Sequence, residues 1–136
     1  MPPRFSAGKR ILIVEDNNET AGALKTGLED LGYPVALAHN GPVALQIAKT
    51  FQPDVCLLDI VLPVMDGYEL IKRMRESTDP SRQIHYVALT GHTKQFDRQR
   101  SIEAGCTEHL VKPVRVHQLA RVLEQLYQNA LTPRTR

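Results

Sequence analysis

The chain alternates short, continuous apolar runs with longer stretches in which apolar residues recur every three to four positions. The first pattern is typical of strands that are buried on both faces, and the second is typical of amphipathic helices. Strands are predicted in five segments, which read RILIVED, YPVALAH, DVCLLDI, IHYVALTG and EHLVK. A helical stretch follows each of them.

The last two predicted helices differ in their apolar content. In the fourth, KQFDRQRSIEAG, only Phe96, Ile102 and Ala104 are clear anchors, whereas Val122 and Leu126 widen the apolar stripe of the fifth. Strands that alternate with helices in this way predict an α/β fold. We expect a doubly wound, five-stranded parallel sheet with helices on both faces.

Composition limits the class of protein. The 136 residues suffice for one domain, and 42% apolar with 24% charged residues is ordinary for a globular protein. A formal charge of +2 is too small to indicate nucleic acid or an acidic membrane. The spacing of Cys56 and Cys106 matches no metal or redox motif, which predicts free thiols in a reducing compartment.

No signal peptide or apolar run of membrane-spanning length is present in the sequence. We therefore expect a cytoplasmic protein, or a cytoplasmic part of a larger one. The expected organisation is an N-terminal tail at 1–8, a domain at 9–130 and a C-terminal tail or linker at 131–136.

Polar side chains end four of the predicted strands: Glu15 and Asp16 the first, Asp59 the third, Thr90 the fourth and Lys112 the fifth. In parallel α/β sheets, ligands bind beyond the carboxyl ends of the strands. Three carboxylates there repel one another, and a hard cation such as Mg²⁺ or Mn²⁺ prefers oxygen ligands. The pattern predicts a divalent metal site with a lysine and a threonine beside it.

Singly, each of these residues has an ordinary structural explanation. A strand-end aspartate is usually a cap or turn residue, and a lone lysine is usually a surface cation. Together they favour phosphoryl chemistry, since an aspartate can attack phosphorus to form an acyl phosphate. The metal and Lys112 would neutralise charge on the equatorial oxygens.

Four ordered motifs, ILIVEDN, LLDIVLPVMDG, VALTG and EAGCTEHLVKP, resemble the receiver domain of bacterial two-component response regulators. The resemblance covers about residues 9 to 130 and implies the strand order 2-1-3-4-5. It implies that Asp59 is the phosphoacceptor. It also implies that Glu15, Asp16 and Asp59 bind Mg²⁺ with the backbone carbonyl of Val61.

The same resemblance assigns Thr90 and Lys112 to the phosphoryl group and implies a cis peptide bond between Lys112 and Pro113. One position departs from the family pattern. Three residues before the lysine, where the family usually has Tyr or Phe as a switch residue beside the threonine, this chain has His109. Histidine changes charge near neutral pH, so a switch that uses it would respond to pH.

A receiver is expected to take its phosphoryl group from a histidine kinase or phosphotransfer domain and to act on a downstream protein through its helix 4, strand 5 and helix 5 face. It would phosphorylate and dephosphorylate itself as a switch rather than turn over a substrate. A phosphorylation-dependent dimer is a further expectation, and direct binding to nucleic acid or membrane is not expected. The chain could stand alone or come from a hybrid sensor kinase.

Three alternatives compete with this interpretation. The first is an interaction module that works without phosphorylation, although the complete acidic set argues against it. A flavodoxin needs a Ser/Thr/Gly-rich phosphate loop after the first strand, where this chain has the acidic EDNNETAG. An aspartate-based phosphatase needs a second acid two residues after its nucleophile, and Val61 occupies that position.

Overall fold

The structure is a computed structural model that describes residues 9–91 and 98–131. Within these residues, five strands alternate with five helices. The strands are β1 (Ile11–Val14), β2 (Val35–Ala38), β3 (Val55–Asp59), β4 (His85–Thr90) and β5 (Glu108–Val111). The helices are α1 (Asn18–Asp30), α2 (Gly41–Phe51), α3 (Gly67–Ser77), α4 (Arg98–Ala104) and α5 (Val116–Leu131).

The five strands form one parallel sheet in the order β2-β1-β3-β4-β5, which confirms the predicted architecture and strand order. The register pairs Leu58 of β3 with Val14 of β1 and with Ala88 of β4. The carboxyl ends of the three central strands therefore meet at one edge of the sheet.

Strand β3 is buried along its whole length and supplies side chains to both core layers. Val55 and Leu57 pack with apolar residues of α1 and α5 on one face. Cys56 and Leu58 pack with apolar residues of α2 and α3 on the other. Both faces are covered, which explains why the strand reads as an unbroken apolar run before Asp59.

Side-chain caps fix the starts of three helices. The side chains of Asn17, Asn40 and Asp66 each accept a backbone N–H from the first turn of α1, α2 and α3, respectively. Such caps satisfy amide groups that a helix start leaves without partners. Asp66 thereby fixes α3 a short loop away from the end of β3.

The β5 side of the sheet is the more exposed side, and one sequence prediction there is wrong. Ala104 is buried as expected, but Ile102 is 64% exposed, and Ser101 takes the inward position instead. Ser101 and Ala104 lie three residues apart and so share a helix face, from which Ile102 is rotated away. The third predicted anchor, Phe96, lies outside the described residues.

The apolar pattern predicts that the last helix begins at Val114, but helix α5 begins two residues later, at Val116. Val122 and Leu126, which the sequence places on a widened apolar stripe, are partly buried against the core beneath α5. Both side chains therefore contribute to packing within the domain. The two cysteines are free, as predicted, with Cys56 buried and Cys106 partly buried.

Candidate active site

The structure brings the three predicted acids together at the carboxyl edge of the sheet. Glu15 and Asp16 follow β1, and Asp59 is the last residue of β3. One carboxylate oxygen from each lies within 4.8 Å of the others. Glu15 and Asp59 are buried and Asp16 is exposed, so the cluster is a cleft that opens to solvent on the Asp16 side.

Lys112 compensates part of this negative charge. Its Nζ lies 2.8 Å from Asp59 Oδ2, which it hydrogen-bonds, and 2.6 Å from Glu15 Oε1. Desolvation alone would lower the pKa of Lys112, but the hydrogen bonds and charges of Asp59 and Glu15 raise it above its ordinary value. The lysine is thus a fixed ammonium ion between two buried carboxylates.

The remaining carboxylate oxygens are held by backbone amides of the adjoining loops. Asp59 Oδ1 accepts the N–H of Val61 at 2.9 Å, and Glu15 Oε2 accepts the N–H of Asn17 at 3.1 Å. These bonds orient both carboxylates toward the cleft. The carbonyl of Val61, which the resemblance assigns to the metal, stays a prediction.

The donor set fits a hard divalent cation. Glu15 Oε1 is buried and lies 2.6 Å from the Lys112 ammonium, which also contacts Asp59, so that one cation faces three clustered carboxylates in the described residues. A buried acceptor beside two further carboxylates is what a cation with oxygen ligands requires. Glu15, Asp16 and Asp59 could therefore hold Mg²⁺ or Mn²⁺.

Thr90 and Lys112 come from neighbouring strand ends and are tied together by their backbones. The N–H of Lys112 donates to the carbonyl of Thr90 at 2.7 Å. The Thr90 hydroxyl is buried and lies 3.4 Å from the carbonyl oxygen of Leu110. The peptide bond between Lys112 and Pro113 is cis, as expected.

His109 lies on β5 opposite Ala88 of β4, so it shares the sheet face on which Thr90 lies two residues further along. Its side chain is exposed. The switch role of His109 and Thr90 stays a prediction, because the placement gives their proximity along one face and nothing more.

Gly67 supports the site, a role that the sequence pattern did not predict. Its N–H donates to the carbonyl of Ile60 at 2.8 Å, and a Cβ at this position would lie 2.7 Å from the backbone oxygen of Asp59. Only glycine allows this approach without displacing the end of β3. The signal was present in the sequence as the MDG triplet that follows the strand.

Comparison with known proteins decides the family. Residues 11–124 match the family model described as "Response regulator receiver domain". The chain belongs to the response regulator receiver domain family.

Two curated relatives show how this receiver domain relates to longer and shorter proteins. It is 36% identical over 115 residues to an uncharacterized 14.6 kDa protein of Leptolyngbya boryana, covering 85% of this chain and 87% of that protein. It is 34% identical over 105 residues to the alkaline phosphatase synthesis transcriptional regulatory protein PhoP of Bacillus subtilis. That match covers 77% of this chain but 42% of PhoP.

Solved structures agree with the family. The receiver domain of sensor histidine kinase PA1611 from Pseudomonas aeruginosa, solved with a magnesium ion in its active site cleft, is 34% identical with a TM-score of 0.78. That match covers 90% of this chain and 99% of the other. The chemotaxis protein CheY4 of Vibrio cholerae is 31% identical with a TM-score of 0.80, covering 88% and 98%.

None of the helices in the described part of the receiver domain is long and apolar enough to span a membrane.

Proposed function

We propose that this receiver domain accepts a phosphoryl group on Asp59, with Mg²⁺ or Mn²⁺ bound by Glu15, Asp16 and Asp59. The observation that carries the proposal is the three-carboxylate cleft with Lys112 between two of its members. The solved relative with magnesium in its cleft supports the choice of metal. The donor would be a phosphorylated histidine kinase or phosphotransfer domain, the phosphoryl sources expected for this family.

In the proposed reaction, a carboxylate oxygen of Asp59 attacks phosphorus. The new P–O bond forms as the P–N bond of a phosphohistidine breaks, and the electron pair leaves with the imidazole nitrogen. Lys112 would exchange its bond with Asp59 for one with an equatorial phosphoryl oxygen, and the Thr90 hydroxyl would donate to another. The bound cation would supply further charge neutralisation.

Phosphoryl transfer from a small-molecule donor tests this proposal without a kinase. Incubation with radiolabelled acetyl phosphate should give an acid-stable, hydroxylamine-sensitive label when Mg²⁺ is present and little label when the metal is chelated. Absence of label under both conditions would favour the phosphorylation-independent interaction module. A flavodoxin or an aspartate-based phosphatase would likewise fail to retain an acyl phosphate.

We further propose that the receiver switches through the face formed by α4, β5 and α5, with Thr90 and His109 linking that face to the phosphoryl group. The exposure of Ile102 and Val111 on α4 and β5 supports this choice, because apolar side chains there have room to repack. The face would contact a downstream protein or a second phosphorylated copy. Residues 92–97 of the adjoining segment lie outside the described residues.

Amide hydrogen exchange with and without a beryllofluoride phosphoryl mimic checks the switch. Protection should change in residues 94–110 when the mimic binds. His109→Tyr should alter the size of that change, because Tyr restores a residue that the family usually has at the switch position. No change in protection, or the same change in both proteins, would rule the mechanism out.

We also propose the domain boundaries and the location in the cell from the family to which the chain belongs. Residues 9–130 would form the signalling unit between tails at 1–8 and 131–136. It would act in the cytoplasm, where histidine kinases present their phosphoryl groups.

A further inference from the structure

A second groove lies at the opposite edge of the sheet from the three acids. It is bounded by the last turns of α3, the loop that leads to β4, the start of β4 and the turn before β5, and its volume is about 1040 Å³. None of the residues assigned to phosphoryl transfer lines it. Any ligand of this groove would therefore make no direct contact with Asp59.

Three cationic side chains line this groove, and one of them is already engaged. Arg82 donates to two backbone carbonyls of the α2–β3 turn and lies 3.6 Å from Asp54. By contrast, Lys72 and Arg75 form no ion pair within residues 9–91 and 98–131. Two positive charges are left to face the groove.

The groove is lined by three cations and two carboxylates, Glu76 and Asp79, which leaves one net positive charge. Asp79 accepts hydrogen bonds from the backbone N–H and the hydroxyl of Ser81, each at 2.9 Å, and is held in that turn. Glu76 is exposed on α3 four residues after Lys72, yet the two do not pair within 4 Å.

Arg75 is fixed at the wall of the groove. Its Nη1 donates to the carbonyl of Ala104 at the end of α4, at 3.0 Å. A Cβ on Gly105, which has a φ of +98°, would lie 2.7 Å from the same nitrogen. Close approach to glycine holds the guanidinium against the turn, and its other N–H donors have no partner in the described structure.

Tyr86 supplies an independent sign of a ligand. This residue lines the groove and is 3% exposed, and its buried hydroxyl has no hydrogen-bond partner in the described part of the chain. Burial and the neighbouring Cys56 raise the pKa of this phenol, and the charge of Arg75 opposes them, which places the guanidinium near it. A buried hydroxyl without a partner costs free energy that an acceptor on a ligand would recover.

We propose that this groove binds a small organic anion through a phosphate or carboxylate group, held by Arg75 and Lys72 with the Tyr86 hydroxyl as a further donor. The planar guanidinium presents paired N–H groups that match both kinds of oxyanion. Because Arg75 also holds the last carbonyl of α4, occupancy of the groove acts on the end of that helix. Together with the switching face proposed above, on which this step rests, the contact makes the groove an effector site.

Titration of the Asp59→Asn protein without Mg²⁺ tests the site apart from phosphoryl transfer. Pyrophosphate and citrate are titrated separately, and their binding is measured by calorimetry and by amide NMR. At least one probe should bind saturably and shift the amides of Arg75, Tyr86 and Gly105. The probe with the higher affinity identifies the oxyanion class, whereas no saturable binding by either, or shifts centred on Thr90 and Lys112, would overturn the proposal.

Variants of α3 and β4 separate a built site from general charge. Arg75→Gln and Lys72→Gln should each weaken binding about tenfold, the usual effect of losing one charged hydrogen bond. Arg73→Gln is the matched control, because Arg73 pairs with Glu69 on the same helix outside the groove and should keep wild-type affinity. Equal losses in Arg73→Gln and Arg75→Gln would contradict the proposal.

Tyr86→Phe guards against a simple folding defect. Without ligand, its thermal midpoint should equal or exceed that of the parent, because the change removes only an unpartnered hydroxyl. Its affinity for the probe should fall severalfold. Unchanged affinity in Tyr86→Phe would remove the hydroxyl from the site and overturn this assignment.

Discussion

A carboxylate stands at each end of β3, and the two have different surroundings. Asp54, just before the strand, accepts the backbone N–H of Arg10 at 2.8 Å and lies 3.6 Å from the Arg82 guanidinium. Asp59, at the other end, is 6% exposed and shares the ammonium of Lys112 with a second buried acid. The negative charge of the aspartate is therefore compensated at one end of the strand, whereas at the other end the aspartate lies among excess negative charge.

The difference shows what marks a site in this fold. At the amino end, Asp54 joins β3 to β1 and has a full counter-charge nearby. At the carboxyl end, Lys112 is the one cation that pairs with the cluster of Glu15, Asp16 and Asp59 in the described part of the chain. Carboxylates whose negative charge the protein leaves uncompensated form a site for a cation. A carboxylate that is paired, such as Asp54, has a structural role.

The largest expected effect comes from adding a methyl group at Gly67, which packs against the carboxyl end of β3. Gly67→Ala puts a Cβ 2.7 Å from the Asp59 backbone oxygen and should lower the free energy of unfolding by about 1–3 kcal/mol. Gly22→Ala is the matched control in α1, where no atom lies within 4 Å of the added Cβ. That change should stabilise the protein by about 0.5–1 kcal/mol.

Urea unfolding of the two alanine variants measures this contrast, with the midpoint compared at constant slope. Opposite shifts of the midpoint are expected. If Gly67→Ala matched the stability of wild type, the close packing of α3 behind Asp59 would be wrong.

Metal affinity should distinguish the two ends of β3 next. Asp16→Ala removes one carboxylate oxygen and one charge from the cleft, and should weaken Mg²⁺ binding by about 10–100-fold or more, since even outer partners of metal sites have effects of that size. Asp54→Ala, at the other end, should leave Mg²⁺ affinity unchanged. Calorimetric titration measures both, and equal affinities in all three proteins would refute the acidic-cleft account.

The smallest expected effect concerns His85, at the amino end of β4, and the stability of the protein at acid pH. Burial lowers the pKa of His85 below its ordinary value of 6.5, the charge of Lys9 lowers it further, and Asp54 partly opposes them. The folded protein therefore binds this proton less readily than the unfolded chain. Stability from this group is lost as the pH falls through 6.5 toward the folded pKa.

His85→Gln should reduce the loss of unfolding free energy between about pH 7.5 and pH 5.5. Urea midpoints at the two pH values measure it, and His117→Gln on the exposed side of α5 is the matched control. A steeper acid loss in His85→Gln than in wild type would reverse the sign and contradict the assignment.

The elements that the sequence predicted best are those whose pattern follows from burial. Strand β3 is apolar because both faces are covered, and its end at Asp59 follows from the cleft beyond it. The strand order, by contrast, came from the family resemblance, since periodicity carries no information on which strands are neighbours. Local pattern thus predicted the elements, and resemblance supplied their arrangement.

What the sequence did not predict depends on contacts between distant residues. Ile102 looked like an anchor of α4, but the inward face of that helix is set by Ser101 and Ala104. The approach of Gly67 to Asp59 and of Arg75 to Gly105 joins separate elements, and neither leaves a periodic signal. Such contacts are set by how helices sit on the sheet, which propensity alone does not determine.

The most direct test of the central claim compares the two carboxylates of β3 as phosphoacceptors. Wild type, Asp54→Asn and Asp59→Asn are incubated with radiolabelled acetyl phosphate and Mg²⁺, and the acid-stable, hydroxylamine-sensitive label is counted. We expect full labelling of wild type and Asp54→Asn and none of Asp59→Asn. Full labelling of Asp59→Asn would contradict the assignment of Asp59 as the phosphoacceptor.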